Sequence, residues 1–401
     1  MATAWFDLAL DLVKQTPGLS PPVASRAFGY AGVALYEALV PGMPGYRSLA
    51  SQLNDLGPAP RPADPEHHWP TVANAALASI LRCLFPTATS QNKAAIAALE
   101  ESYAQGFRSM LPPGIYSRSV ARGQGVAGHI FEWSKVDGGH EGYLHNFPAY
   151  APPVGPGLWV STPPGLLPAL QPFWGSNRSF ALAGGECDPG PPIAYSEEHS
   201  SAFFSEALEC YEVVTNLSPE QRAIALFWSD DPGITCTPPG HSVSILTQVM
   251  RDRGYSLDVA AEAYARTGIA VSDAFIACWN TKFRYNLLRP VTYIRRLIDP
   301  TWSSLLVTPP FPEYTFGHSV QSGASAQVLT DLFGPLAFTD HTHDDRGLPP
   351  RSFSSFFEAA EEAALSRLYG GIHFRTAIEL GLEQGRCIGR EVSNLRFRVR
   401  E

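Results

Sequence analysis

The chain has 401 residues, of which 45% are hydrophobic and 17% charged, with a formal net charge of −9. A chain this long and apolar buries a large core, which excludes wholesale disorder. Its acidic balance argues against nucleic acid as the main partner, and no apolar run reaches the roughly 18 residues that a membrane span needs.

The first segment, Met1 to Pro17, has no basic n-region and no small-residue cleavage site. It reads as an amphipathic start rather than a signal peptide, and it leaves secreted and cytoplasmic locations both open. Ser20-Pro21-Pro22 is a helix entry, with Ala24, Ala27, Phe28, Ala31, Ala34, Leu35 and Ala38 behind it at helical spacing. Further helical patterns cover 69–84, 89–107 and about 115–134. Residues 137–195 break the pattern with eleven prolines. Proline lacks a donor and ends helices, so this is a long irregular crossover, and Trp159, Phe173 and Trp174 predict that it packs on the body. Helices resume at Ser196. Ser218-Pro219-Glu220-Gln221 is a capping box, a long helix is expected over 256–286, and others over 317–333, 353–369 and 374–394. Gly370-Gly371 marks a stop and restart. With no strand alternation and no short-period repeat, the fold class is all-α, built of helical bundles. Its parts are an N-terminal helical half (1–136), the crossover (137–195) and a C-terminal bundle (196–401), as one integrated body. The six cysteines are scattered without a C-x-x-C pair, which disfavours a zinc ribbon and makes mostly free, buried thiols the expectation.

Three segments of the C-terminal third carry candidate chemistry. In Lys282-Phe283-Arg284-Tyr285-Asn286-Leu287-Leu288-Arg289-Pro290, Lys282 and Arg289 are two helical turns apart, and Pro290 pushes Arg289 out of helical geometry. In Pro309-Pro310-Phe311-Pro312-Glu313-Tyr314-Thr315-Phe316-Gly317-His318, a stiff approach ends in Gly-His at a helix start, where free amides and the dipole favour an anion. In Ser366-Arg367-Leu368-Tyr369-Gly370-Gly371-Ile372-His373, Arg367 closes one helix and His373 opens the next. One lysine and two arginines suit a multiply charged oxyanion. Two histidines can bond its central atom and exchange protons near neutral pH.

This ordered set resembles the vanadium-dependent haloperoxidases and the related type 2 phosphatidic-acid phosphatase superfamily, whose signature is K-x6-RP, then Pro-Ser-Gly-His, then SR-x5-H. The resemblance is strongest over about 225–395. It implies vanadate as cofactor, with phosphate able to occupy the same site, and hydrogen peroxide and halide as substrates. The product is hypohalous acid, which passes to a small organic acceptor. It assigns His373 as the covalent metal ligand and His318 as the acid–base group. Lys282, Arg289, Arg367 and the Gly317 amide hold the oxygens. Trp279 and Phe311 match aromatics of the halide side, and Asp231 matches an acidic partner of Arg367. Association into a homodimer is also implied, though no heptad seam locates it.

The chain departs from the pattern twice. Phe316 stands where the family has serine and cannot donate that residue's hydrogen bond; Thr315 and Ser319 are the neighbours that could compensate. Ala377 stands where many members have an aspartate, which is expected to loosen the orientation of His373. Two other readings therefore stay open: an acid phosphatase of the same superfamily, with His373 as nucleophile, and a non-catalytic oxyanion-binding homologue, for which Phe316 is the chief argument. His341-Thr342-His343-Asp344-Asp345 has a superficial likeness to a divalent-metal site but reads as a solvated loop, and His241 reads as a loop residue.

Overall fold

The computed structural model describes residues 1–60 and 66–399. Thirteen α-helices are present among them: α1 (Ala2–Gln15), α2 (Pro21–Leu39), α3 (Trp69–Leu84), α4 (Ser90–Met110), α5 (Pro113–Ser134), α6 (Ala202–Thr215), α7 (Pro219–Phe227), α8 (Thr237–Arg253), α9 (Leu257–Tyr285), α10 (Pro290–Leu297), α11 (Gly317–Phe333), α12 (Phe356–Tyr369) and α13 (Arg375–Ser393). The all-α expectation holds, and no described helix is long and apolar enough to cross a membrane. Two corrections apply. Phe338–Asp340 and Arg351–Phe353 form a small antiparallel pair, β1 and β2, so the helix expected from 353 begins three residues later. Helix α6 starts at Ala202 rather than 196, because Ser201 supplies the cap by accepting from the Phe204 amide. The Ser218–Gln221 capping box forms in both directions, at 3.2 and 2.9 Å.

Helices α2 and α9 make the centre. A helix that is apolar on all sides belongs inside a fold, and α2 is buried from Pro22 to Leu39. Small residues let the two backbones approach: a Cβ at Gly32 would lie 2.4 Å from the Tyr264 carbonyl oxygen, and one at Gly268 2.6 Å from that of Phe28. Helix α9 also packs on α11, and α11 on α12 and α13. The three motif-bearing segments are thereby brought against one another.

The crossover is irregular as expected, and it is bound tightly to the body. Trp159 and Trp174 are buried, whereas Phe173 is exposed. The buried Asp273 carboxylate of α9 accepts from the amides of Phe180, Ala181 and Leu182 at 2.6–3.2 Å. The Trp159 and Leu170 amides donate to the carbonyls of Asn286 and Pro310. Cys187 and Cys387 form a disulfide across 200 residues, which joins the crossover to α13 and corrects the free-thiol expectation for these two. Cys83, Cys210, Cys236 and Cys278 are free. Closing so long a loop restricts the unfolded chain, so replacing both Cys187 and Cys387 by serine is expected to lower stability by about 2–4 kcal/mol. A denaturation midpoint equal to that of the parent would show that packing alone holds the crossover.

Candidate active site

The last turns of α9 carry Trp279 and Lys282. Asn286 ends that helix in the left-handed conformation at φ 46°, and Arg289 follows as an extended residue at φ −84°, ψ 153° before Pro290 opens α10. The Pro-rich segment then runs to Phe316, the N-cap of α11, with Gly317 and His318 in its first turn. Arg367 lies in the last turn of α12, and His373 in the turn just ahead of α13. Trp279, Phe311, Phe316, Gly317, His318, Arg367 and His373 all border one cavity of about 280 Å³.

Lys282 and Arg289 stand behind this wall, both fully buried. The Lys282 ammonium donates to the carbonyls of Pro312 and Glu313, each at 2.9 Å. Arg289 donates through Nε to the Phe311 carbonyl at 2.8 Å and through Nη1 to the Ile372 carbonyl at 2.8 Å and to His373 Nε2 at 2.9 Å. Its Nη2 is buried without a partner. The Phe311 ring packs against both cations and against Trp279. Arg367 Nη2 lies 2.6 Å from the carbonyls of Trp228 and Ser229 and 2.7 Å from His318 Nε2, and its Nε is unpartnered.

Burial sets the electrostatics. Loss of water pulls Lys282 down to about 7, with Arg289 adding to the effect and Cys278 and Glu313 opposing it. Burial, then the neighbouring cations Arg289, Lys282 and Arg367, hold His373 well below its ordinary value. His318 is likewise held low, first by burial and then by Arg367, against the pull of Asp230. Both imidazoles are therefore neutral, with Nε2 accepting from a guanidinium. Two buried guanidiniums, each with an unpartnered nitrogen, and Lys282 beside them make a site that a multiply charged anion relieves.

Glu313 is the residue that sequence reasoning missed. Its Oε1 accepts from His373 Nδ1 at 2.8 Å and from the Phe374 amide at 2.9 Å. This fixes the tautomer that leaves Nε2 without a proton, its lone pair turned to Arg289, which is the service a carboxylate gives a ligand histidine. The loosening expected from Ala377 is thus corrected, because the carboxylate comes from another segment. A signal was present: a glutamate inside an otherwise apolar, proline-rich run. Burial pushes Glu313 up to about 7, against the lowering effects of the Phe374 amide, Lys282 and Arg289. Glu313→Gln keeps the shape but removes the charge, and is expected to weaken vanadate binding about 10- to 100-fold. Calorimetric titration reads this directly; affinity within threefold of the parent would deny Glu313 that role.

Other expectations fare differently. Asp231 is exposed, and it makes no ion-pair contact with Arg367, whose guanidinium is held by carbonyls instead. Asp230 turns inward in its place, in the left-handed region at φ 50°, and is fully buried 3.8 Å from His318 Nε2. His241 lies on α8 and is buried, not in a loop. In the 341–345 segment His341 is exposed as expected, but His343 is buried. Thr315 and Ser319 do not compensate for Phe316. Thr315 Oγ1 donates to Gln384 Oε1 at 2.7 Å, and Ser319 faces α13, where its Cβ would lie 2.9 Å from a Cβ at Gly381. The Phe316 ring sits 4.3 Å from that of His373 and 5.2 Å from that of His318.

Fold and site together define a predominantly helical protein with a cavity, backed by buried cations, where α9, α11, α12 and the start of α13 meet. The family description VCPO second helical-bundle domain matches residues 262–301 and 297–401. A solved structure described as the first bacterial vanadium-dependent iodoperoxidase is 38% identical over 99% of this chain and 96% of its own, with a TM-score of 0.89. The holo-type bacterial vanadium-dependent chloroperoxidase shares the fold at 19% identity and a TM-score of 0.71, over 96% of this chain and 93% of its own. Vanadium chloroperoxidase of Curvularia inaequalis is 24% identical over 275 residues, 51% of this chain and 45% of that protein, so the match spans under half of the fungal relative. This chain belongs to the vanadium-dependent haloperoxidase family.

Proposed function

We propose that the protein is a vanadate-dependent haloperoxidase that oxidises halide with hydrogen peroxide. The observation that carries this reading is the pair of buried, unpartnered guanidinium nitrogens, Arg289 Nη2 and Arg367 Nε, beside two neutral histidines. An oxyanion fits that donor set, and vanadate is the oxyanion named for the relatives. When bound, vanadate supplies a Lewis-acidic centre that activates peroxide toward halide without changing its own oxidation state.

The residues then divide the work. His373 would ligate the metal through Nε2, with Glu313 holding the Nδ1 proton. Lys282, Arg289 and Arg367 would hold the oxyanion's oxygens, together with the first-turn amides of α11, which the helix does not use itself. His318 would take up a proton at Nε2 once Arg367, which donates to that atom at 2.7 Å, turns to the bound oxyanion, and the buried Asp230 carboxylate 3.8 Å away favours the resulting imidazolium. Trp279 and Phe311 close the apolar side of the cavity and exclude water from the oxidising centre.

The test is to titrate vanadate into phosphate-free protein and then assay oxidation of iodide, bromide and chloride in peroxide. Iodide comes first, because the solved relative at 38% identity is described as an iodoperoxidase. Saturable vanadate binding with peroxide-dependent halide oxidation is expected. Binding without turnover would leave a non-catalytic oxyanion carrier, the outcome that Phe316 favours. Turnover of a phosphomonoester with a phosphohistidine at position 373 would assign the phosphatase reading instead.

A further inference from the structure

Beside the candidate active site lies a second cluster, of which the proposed reaction uses only Asp230, a residue that borders the same cavity. Asp230, from the turn after α7, His241 of α8 and His343, from the loop after β1, are each about 99% or 98% buried. They come from three separate segments. Asp230 Oδ1 lies 3.2 Å from His241 Nδ1 and 3.2 Å from His343 Nε2. One ligand atom from each residue falls within a 4.8 Å span. Ligands about 2.0–2.1 Å from a tetrahedral zinc ion stand about 3.3 Å apart, so the Asp230 separations are already those of a coordination shell.

Two further observations point to a ligand. His343 Nε2 is buried with no well-formed hydrogen bond, although it faces Asp230. Its close approach to Asp230 lacks hydrogen-bonding geometry, so the lone pair or proton there is unspent, a costly state for a buried polar atom. His241 is backed by Asp340, whose Oδ2 takes the Nε2 proton at 2.7 Å, the carboxylate–histidine arrangement that orients a metal ligand. Asp340 is itself fixed by the amide and hydroxyl of Thr342, at 2.9 and 2.6 Å. The rings are clamped: Trp228 stacks on His241 at 4.4 Å, and Phe227 meets His343 edge-on at 5.0 Å. Access exists as well. A cavity of about 190 Å³ reaches His343, and its wall carries both signs of charge, Asp7, Asp11 and Asp345 with Lys14 and Arg346.

We infer that Asp230, His241 and His343 form a binding site for a divalent transition-metal ion, zinc by donor type, which adjoins the vanadate cradle through Asp230. Two imidazole nitrogens and one carboxylate oxygen suit zinc better than calcium or magnesium, which take oxygen ligands. Coordination at His241 Nδ1 requires release of the proton shared with Asp230, so binding strengthens as pH rises. Residues 228–230 serve both sites, since the carbonyls of Trp228 and Ser229 hold Arg367. A metal at Asp230 thus ties the Arg367 anchor to α8 and to the loop after β1.

The experiment uses the full chain without an affinity tag, stripped with chelator and free of vanadate. Zinc is titrated calorimetrically, and cobalt is followed by its visible ligand-field absorption. One equivalent of saturable binding is expected, accompanied by a rise in melting temperature. His343→Ala should weaken binding by at least about tenfold, and Asp340→Asn should weaken it too. His373→Ala should bind zinc as the parent does, which separates this site from the vanadate cradle. Absence of saturable zinc binding in the parent chain overturns the proposal, whatever the variants do. So does parent-like affinity in a folded His343→Ala.

Discussion

On the proposed function, halide oxidation is expected to fall to background in His373→Ala, and vanadate affinity to drop by at least about a thousandfold, equivalent to about 4 kcal/mol. The size follows from what the imidazole does. Its Nδ1 proton is committed to Glu313 at 2.8 Å and its Nε2 faces Arg289 at 2.9 Å, so a single lone pair is presented among three buried cations. Alanine removes that lone pair and leaves the cations in place, which separates ligation from simple charge attraction. It also leaves Glu313 with only the Phe374 amide and an already unpartnered Oε2, a loss of about 1–3 kcal/mol in stability. Melting measurements therefore accompany the assay, and partial recovery in added imidazole would identify the missing ligand. His318→Ala is the contrasting variant. It should lower the rate by about 100- to 10,000-fold while vanadate still binds. Equal loss of vanadate binding in both variants would contradict the division of roles.

Phe316→Ser raises vanadate affinity by about 10- to 100-fold, the worth of one restored charge-assisted hydrogen bond of about 1.5–3 kcal/mol. The same change lowers the stability of the vanadate-free protein by about 3–5 kcal/mol, because a 2% exposed phenyl ring is deleted from between two imidazoles. The opposite signs make the result hard to mimic: a general improvement in folding would move both quantities together. Neither Thr315, committed to Gln384, nor Ser319, turned toward α13, supplies the missing donor in the parent. Affinity unchanged or reduced in Phe316→Ser would mean that the ring contributes more by ordering His318 and His373 than it withholds by lacking a hydroxyl.

Much of the site was legible because its parts are local. Lys282 and Arg289 are two turns apart on a helix and its exit, and Gly317-His318 opens a helix that runs from 317 to 333 as spacing indicated. Arg367 and His373 flank a Gly-Gly break. Periodicity and the special chemistry of proline and glycine act within a few residues, so a linear pattern records them. The capping box at Ser218 is of the same kind, and so is the extended backbone of Arg289 before Pro290.

Glu313, Asp230, His241 and His343 were not legible in this way, because their meaning lies in partners far along the chain. Glu313 meets a histidine 60 residues away, and His241 lies between carboxylates 11 and 99 positions distant. Asp230 and Asp231 are adjacent and alike in chemistry, yet Asp230, in the left-handed region, is buried, whereas Asp231 is exposed at the rim of the cavity. Likewise, composition counted six cysteines, but only the folded chain brings Cys187 and Cys387 together. The sequence by itself determined the helical periodicity, the breaks and the residue types of an oxyanion site. The tertiary structure decided which charged groups lose their water and what then faces them. Desolvation and pairing depend on the whole surrounding volume, which no local stretch of sequence encodes.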